Sequence, residues 1–189
     1  MTSSGCSCGG AVDEGAKPQG VVTSINISAR KGTRKTPLPE KRASITINNG
    51  VVGDAHAGDW HRQVSFLAEE SIAKAREMGL DVKEGDFAEN FTTEGINLHV
   101  IPIGTVLGVG GTEVEISQIG KVCHTRCAIY HLAGDCIFPR EGIFGVVRKE
   151  GEVHVGDPVE VIHWGDGTCA ATPQEALDEV EAARTAGTL

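Results

Sequence analysis

Short runs in which apolar and polar residues alternate dominate the chain between about residues 20 and 162. Such alternation, together with many β-branched residues, predicts half-buried β-strands. Helices do not interleave with these strands, which argues against a doubly wound parallel sheet. We therefore predict a mainly β fold with a closed or partly open β-barrel, since closure removes exposed strand edges. The clearest strand runs cover residues 20–28, 43–48, 114–119, 142–148 and 158–162.

Two segments have the periodicity of helices and are expected to lie outside the barrel, which gives two or three peripheral helices in all. Residues 172–186 open with Thr-Pro-Gln-Glu, which predicts a capping box with proline at the first helical position. Residues 67–78 precede Gly79, a natural C-terminal stop. Four apolar residues of this segment can share one face: Leu67, Ile72, Ala75 and Met78.

The same pattern divides the chain into three segments. Its 189 residues suffice for one ordinary hydrophobic core and are marginal for two. Residues 1–18 carry little to bury, and we expect them to form a flexible N-terminal arm. Residues 19–165 form the predicted domain, and residues 166–189 a linker and a C-terminal helix. Cys6 and Cys8 lie in the arm, either as inert tail thiols or as a mobile pair that reaches a site.

Composition and charge narrow the function. The formal net charge is −9 and aromatic residues make up only 4% of the chain. A negative chain repels nucleic acid and anionic membranes, and scarce aromatics argue against a base-stacking surface. We expect a cytoplasmic protein, because no apolar run approaches the roughly 20 residues of a membrane span and the N-terminus lacks a signal peptide. Residues 29–42 form a basic loop, either solvated or an anion-attracting rim.

The densest candidate chemistry lies in the segment Cys-His-Thr-Arg-Cys at residues 123–127. Neighbouring cations favour the thiolate form of a cysteine, which is the nucleophile and the soft-metal ligand. Cys123 has such neighbours in Lys121, His124 and Arg126. Cys127 and Cys136 are further candidate thiols, although each of the three cysteines could instead be a small core residue. A zinc site is a weaker alternative, because the C-x3-C-x8-C spacing lacks a second compact pair.

Two loops could complete a binding site. In the first, Gly53 and Gly58 let backbone N–H groups face an anion, and Arg62 could clamp a phosphate. His56 and His61 in the same loop could donate to a ligand or bind a metal, or be surface residues. In the second loop, the pair Glu89-Asn90 is either functional or a turn or capping element.

These segments occur in an order that resembles the MOSC domain, over about residues 20–162. This domain is the C-terminal module of molybdenum cofactor sulfurases and also occurs as stand-alone bacterial proteins. The matching runs are GVVGDAHAGDWHRQVSFLAEESI, EGDFAENFTTEGINL and IPIGTVLGVGGTEVEISQIGKVCHTRC. The resemblance implies a barrel-like fold and a cysteine that binds the molybdenum cofactor (molybdopterin) or carries its sulfur. Cys123 matches the first family cysteine and Cys127 the second, while Val122 replaces a usual proline.

The resemblance also implies a cofactor-binding set, with the thiol at the mouth of the barrel facing a phosphate-binding pocket. Ala88 replaces the glycine that usually precedes the Glu-Asn pair, a small change that should keep the turn if φ at this residue is negative. The expected cofactor-binding residues are Gly53, Asp54, His56, Gly58, His61, Arg62, Glu89, Asn90, Lys121, His124 and Arg126.

Three functions remain open from the sequence. In the first, Cys123 accepts sulfur as a persulfide from a partner cysteine desulfurase and passes it to the bound cofactor, for a molybdoenzyme or a cofactor-biosynthesis protein. We expect pyridoxal phosphate only on that partner, because the chain has no room for a desulfurase domain. The second is a molybdenum-dependent reductase of N-hydroxylated compounds, with Cys123 or Cys136 on the metal. The third is a zinc-stabilised binding module without catalysis. The oligomeric state stays open.

Overall fold

A closed barrel of seven strands forms the centre of the computed structural model, which describes residues 18–123 and 136–189. The barrel strands are β1 (Gln19–Ile27), β5 (Val64–Ala68), β6 (Phe91–Glu94), β7 (Val106–Val109), β8 (Thr112–Ile119), β9 (Ile143–Lys149) and β11 (Pro158–His163). Their order around the barrel is β1-β6-β5-β9-β8-β7-β11, and β11 pairs back onto β1, with Gly20 opposite Val159. Neighbouring strands are antiparallel except β5 and β6, which run parallel.

Shorter elements surround the barrel. Strand β2 (Thr36–Pro37) pairs with the end of β1, and a separate sheet has the order β10-β3-β4. Its strands are β3 (Arg42–Thr46), β4 (Gly50–Val51) and β10 (Gly151–His154). The helices in the described residues are α1 (Glu69–Glu77), α2 (Phe138–Glu141) and α3 (Gln174–Thr185), with a 3-10 turn at Leu98–Val100. The predicted mainly β barrel with peripheral helices is therefore confirmed.

The core has two parts, one inside the barrel and one outside it. The interior is filled by alternate strand residues such as Val64, Phe66 and Ile116. The second cluster lies between α1 and the outer face of β5 and β9, where Leu67, Ile72 and Phe144 pack together. Because side chains alternate along a strand, β5 contributes to both clusters. Burial on both faces explains why its sequence, Val-Ser-Phe-Leu-Ala, is almost continuously apolar.

Both predicted helices form, but their starts differ from the predictions. Strand β5 continues to Ala68, so Leu67 belongs to a strand and α1 begins at Glu69; Met78 is half exposed. The capping box at Thr172 is wrong. Pro173 is the N-cap of α3, and no side chain in the described part of the chain caps the helix. The Thr172 hydroxyl instead donates to the carbonyl of Ser117 at 2.7 Å, which ties the start of α3 to β8.

The predicted N-terminal arm at 1–18 lies almost entirely outside the described part of the chain. Residues 1–17, with Cys6 and Cys8, are not described, so the arm stays a prediction. The described segments contain no helix of the length and apolarity that a bilayer crossing requires.

Candidate functional site

The candidate site is a pocket of about 130 Å³ against the outer wall of the barrel. Its floor includes Ser65 of β5 and Phe144 of β9, which are opposite one another in the sheet. Their strand neighbours Val64 and Phe66 point into the barrel, so Ser65 and Phe144 point away from it. The pocket therefore lies on the barrel's side rather than at the predicted mouth. The other lining residues are Lys35, His56, Trp60, Arg62, Ala88, Asn90, Lys121 and Phe138.

A buried ion pair holds one side of the pocket together. The Lys35 ammonium lies 2.8 Å from Oδ2 of Asp54, and the two side chains are 2% and 1% exposed. Asp54 also accepts backbone N–H bonds from Ser28 at 3.0 Å and His56 at 3.3 Å. Burial lowers the pKa of Lys35, which Asp54 partly counteracts. Burial would raise the pKa of Asp54, but Lys35 and the N–H donors bring it below its ordinary value. Asp54 is thus an ionised anchor for the loop that carries His56.

Lys35 is a site residue that the sequence did not reveal. The basic loop at 29–42 reads as exposed, and Arg34 is indeed mostly solvated, although it pairs with Asp86 at 3.1 Å. Lys35 is only 4% exposed. Its backbone N–H donates to the carbonyl of Gly85 at 2.8 Å, and a Cβ on Gly85 would lie 2.4 Å from the Lys35 carbonyl oxygen. This close approach, at a φ of +85°, requires glycine at position 85.

Two polar atoms at the pocket lack partners among the described residues: Nδ1 of His56 and Nε of Arg62, both buried. His56 Nδ1 is 3.8 Å from the Asp54 carboxylate, too far for a hydrogen bond. Burial and then the positive charge of Lys35 lower the pKa of His56, so its ring is neutral at pH 7. A buried polar nitrogen without a partner costs free energy. An anionic ligand would remove that cost at the Arg62 Nε–H, and at His56 in the tautomer that carries its proton on Nδ1.

Aromatic rings position the cations of the pocket. The Arg62 guanidinium carbon lies 4.9 Å from the ring centre of Trp60 and 5.5 Å from that of Phe144. The Lys121 ammonium lies 5.3 Å from the ring centre of Phe138. Burial lowers the pKa of Arg62, while the charges of Glu179 in α3 and of Cys123 act to raise it. Arg62 therefore lies within electrostatic reach of both the C-terminal helix and the candidate thiol.

The candidate cysteines have different surroundings. Cys123 is exposed, two residues after Lys121. Cys136 is 8% exposed within the apolar cluster outside the barrel, which favours the packing alternative for this residue. Cys169 is buried as well, and burial raises the pKa of its thiol. His124, Arg126 and Cys127 lie outside the described residues. Within 18–123 and 136–189, no three His, Cys, Asp or Glu side chains are placed to hold a metal ion.

His61, Gly53 and Gly58 support the loop and do not line the pocket. His61 Nε2 is 3.0 Å from Oε1 of Gln118, and the Ser117 hydroxyl donates to the carbonyl of His61. Burial lowers the pKa of His61. Gly53 has a φ of +87°, which suits the turn before Asp54, and Gly58 donates to the carbonyl of Asn49 at 2.7 Å. These contacts attach the loop to β8 and to the β3–β4 turn.

The Glu89-Asn90 pair joins the pocket to the sheet. Asn90 Oδ1 accepts from the backbone N–H and the hydroxyl of Ser65, both at 3.1 Å, and its amide donates to the carbonyl of Asn26 at 3.2 Å. Glu89 is completely buried; its Oε1 accepts from Gly85 and Thr92, and its Oε2 has no partner among the described residues. Burial raises the pKa of Glu89 to about 7.

Ala88 departs from its expected conformation. It lines the pocket with a φ of +68°, in the left-handed region that disfavours a Cβ. Hydrogen bonds on both sides hold the turn, from Ala88 N–H to the carbonyl of Gly85 at 3.0 Å and from Asn90 N–H to Ser65. The negative φ on which the turn was expected to depend is therefore absent at Ala88, and the turn persists at the cost of local strain.

Comparisons with known proteins agree with this fold. The family model described as MOSC domain matches residues 53–160, more than half of the chain and most of the pocket. The chain is similar to the solved YuaD protein from Bacillus subtilis, with a TM-score of 0.63 and 16% identity over 77% of this chain and 97% of that one. YiiM from Geobacillus stearothermophilus has a TM-score of 0.62 and 18% identity, and the match covers 87% of this chain and 84% of that one. YiiM from Escherichia coli has a TM-score of 0.57 and 16% identity, and the match covers 90% of this chain and 93% of that one. No curated protein matches the sequence.

Proposed function

Because the chain belongs to the MOSC domain family, we propose that it binds the molybdenum cofactor at this pocket and carries sulfur on Cys123 as a persulfide. The observation that carries the proposal is the donor set. Arg62 and His56 each keep a buried nitrogen without a partner in the described chain, and Lys121 adds a second cation. An anionic group suits these donors, and the molybdenum cofactor contains a phosphate.

The local charge supports this assignment because it opposes the global charge. A chain with a net charge of −9 repels anions at a distance, yet this pocket is lined by Lys35, Arg62 and Lys121. Asp54 neutralises only Lys35. Arg62 and Lys121 are therefore the residues proposed to hold the phosphate, with His56 as a neutral hydrogen-bond partner.

The side chains that line the pocket indicate which part of the cofactor would be held there. Arg62 and Lys121 are cations and His56 has an unpartnered nitrogen in the described chain, so these residues would hold the phosphate. When bound, the cofactor supplies the molybdenum that accepts sulfur.

Cys123 is proposed as the sulfur carrier because it is exposed and lies within electrostatic reach of Arg62. Its thiolate would attack the outer sulfur of a persulfide on a partner cysteine desulfurase. The partner's sulfur–sulfur bond breaks as the bond to Cys123 forms, and the partner leaves with a thiolate. Pyridoxal phosphate belongs to that partner.

Mass spectrometry tests the carrier. The full chain is incubated with a desulfurase and cysteine, and a gain of about 32 Da is mapped by tryptic digestion. Cleavage after Arg126 separates Cys123 from Cys127, so the adduct can be assigned. We expect it on Cys123 in the wild type and in Cys169→Ser, a buried control, and not in Cys123→Ser. Equal loading of Cys123→Ser would refute the carrier.

Metal analysis separates the carrier from the reductase, in which the same exposed thiol would ligate a resident metal. Protein purified without oxygen from a host that makes the cofactor is assayed for molybdenum and pterin. A carrier contains less than one molybdenum per chain, because the cofactor is its substrate. One molybdenum per chain, lost in Cys123→Ser, would favour the reductase and contradict the carrier.

A further inference from the structure

Three of the eight aromatic residues of this chain line the pocket. The chain has only two Trp, one Tyr and five Phe, and the pocket is lined by Trp60, Phe138 and Phe144. Phe138 and Phe144 are 4% and 6% exposed, so they are wall residues covered by the protein. Trp60 is 36% exposed. Among the described residues that line this pocket, Trp60 is therefore the aromatic side chain that a ligand can reach.

The Trp60 ring is held in place rather than merely exposed. Its Nε1 donates to the carbonyl of His56 at 3.0 Å. The His61 ring meets it edge-on, with centres 5.9 Å apart and planes at 70°. The Arg62 guanidinium lies 4.9 Å from its centre. A fixed, partly exposed indole beside a cation combines the features that bind a planar ring and its attached anion.

We propose that Trp60 is a specificity-determining residue that stacks on a planar heterocycle whose phosphate is held by Arg62 and Lys121. The ligand class is then a heteroaromatic phosphate, such as a pterin phosphate, rather than a bare oxyanion. This inference rests on the proposed anion site and adds the recognition of the ring. Stacking of a heterocycle on an aromatic side chain changes affinity by about tenfold or more on truncation.

Calorimetric titration with two probes tests the inference: a pterin monophosphate and inorganic phosphate. The full chain is compared with Trp60→Leu, with the conservative Trp60→Phe, and with Trp164→Leu as a control, because Trp164 is 55% exposed and does not line the pocket. Because the Trp60 ring also positions Arg62, we expect Trp60→Leu to weaken the binding of both probes, with a loss about tenfold larger for the pterin monophosphate than for phosphate. Trp60→Phe should retain most of the affinity, and Trp164→Leu all of it.

Fluorescence gives an independent measurement. In Trp164→Phe the indole of Trp60 is the single tryptophan, so quenching by the pterin monophosphate reports that its ring binds near this residue. We expect saturable quenching that phosphate alone does not produce.

The outcomes separate this inference from the proposed function. If Trp60→Leu weakens both probes equally, Trp60 only positions Arg62 and the inference is overturned, while the anion site stands. The inference is likewise overturned if the wild type binds the pterin monophosphate no more tightly than phosphate. If the wild type binds neither probe, or if Arg62→Gln leaves phosphate binding unchanged, the proposed anion site fails as well.

Discussion

Removing the charge of Lys35 should destabilise the protein strongly. In Lys35→Met the Asp54 carboxylate, 1% exposed, loses a cation at 2.8 Å and keeps only its N–H donors. Breaking a buried ion pair by removing one partner typically costs about 3–5 kcal/mol, because the remaining charge is uncompensated. We expect a loss of this size in the free energy of unfolding, measured by urea denaturation and followed by circular dichroism.

A second pair serves as a matched control because it has nearly the same distance and a different burial. The Lys74 ammonium lies 2.9 Å from a carboxylate oxygen of Glu141, and the Lys74 side chain is 51% exposed. Exposed pairs contribute about 0–1 kcal/mol, so Lys74→Met should cost less than about 1 kcal/mol. A Lys35→Met variant no less stable than Lys74→Met would refute the reasoning.

Two further measurements test the same ion pair: the stability of a variant that lacks both charges, and the pH dependence of the wild-type stability. Lys35→Met with Asp54→Asn buries no charge, so it should be more stable than Lys35→Met alone. The folded-state pKa of Asp54 lies below its ordinary value. The stabilisation that the Lys35–Asp54 ion pair gives is therefore fully present above the carboxyl pKa of the unfolded chain, about 3.9. It is lost as the pH falls through the lower folded-state pKa of Asp54. A double variant less stable than the single one would contradict this account.

Three further changes have defined outcomes in urea denaturation. Glu89→Gln should gain stability relative to the wild type as the pH rises from about 4 to about 7, by up to about 3 kcal/mol, and no further above. The reason is the direction of the Glu89 pKa shift. In the wild type the folded-state pKa of Glu89, about 7, lies above its unfolded-state pKa. Its contribution to stability is therefore fully present below the unfolded-state pKa and is lost as the pH rises through the folded-state pKa. A pH-independent difference would contradict it. Ala88→Gly should stabilise by about 0.5–1 kcal/mol, because it relieves a φ of +68°, whereas the control Ala75→Gly in α1 should destabilise by about 1 kcal/mol. Thr172→Ala should cost about 1 kcal/mol through its lost bond to β8, and Glu175→Ala clearly less, because no capping box forms among the described residues; equal losses would support the box.

The barrel was predictable where a strand exposes one face, as β8 and β11 do, because this exposure gives the alternation that the sequence shows. β8 is a clear case: Val114 and Ile116 fill the interior, while the intervening Glu113 and Glu115 are partly exposed. Strand β5 lacks this signal because both of its faces are covered, and an apolar run without alternation cannot be distinguished from a buried helix. The predicted helix therefore began too early, at Leu67.

The site was predictable only where its chemistry is local in the chain. The glycine-rich loops contain Arg62, His56 and Asn90, and the sequence alone identifies polar residues in such loops as candidate ligand-binding residues. Lys35 gave no signal, because nothing distinguishes it from the solvated cations around it until Gly85 and Asp54 are folded against it. The positive φ of Ala88 has the same origin, since contacts distant in sequence impose it.

The charges around the pocket divide into two groups with different tasks, and this division predicts that stability and binding can be separated. Lys35 and Asp54 neutralise one another in the interior and hold the backbone of His56. Arg62 and Lys121 instead lie against aromatic rings, an arrangement that fixes their positions and leaves their N–H groups for a ligand. Loss of Lys35 should thus appear mainly in the free energy of unfolding. Loss of the Arg62 charge should appear mainly in phosphate affinity, because its buried Nε has no partner among residues 18–123 and 136–189 and an anion would supply one.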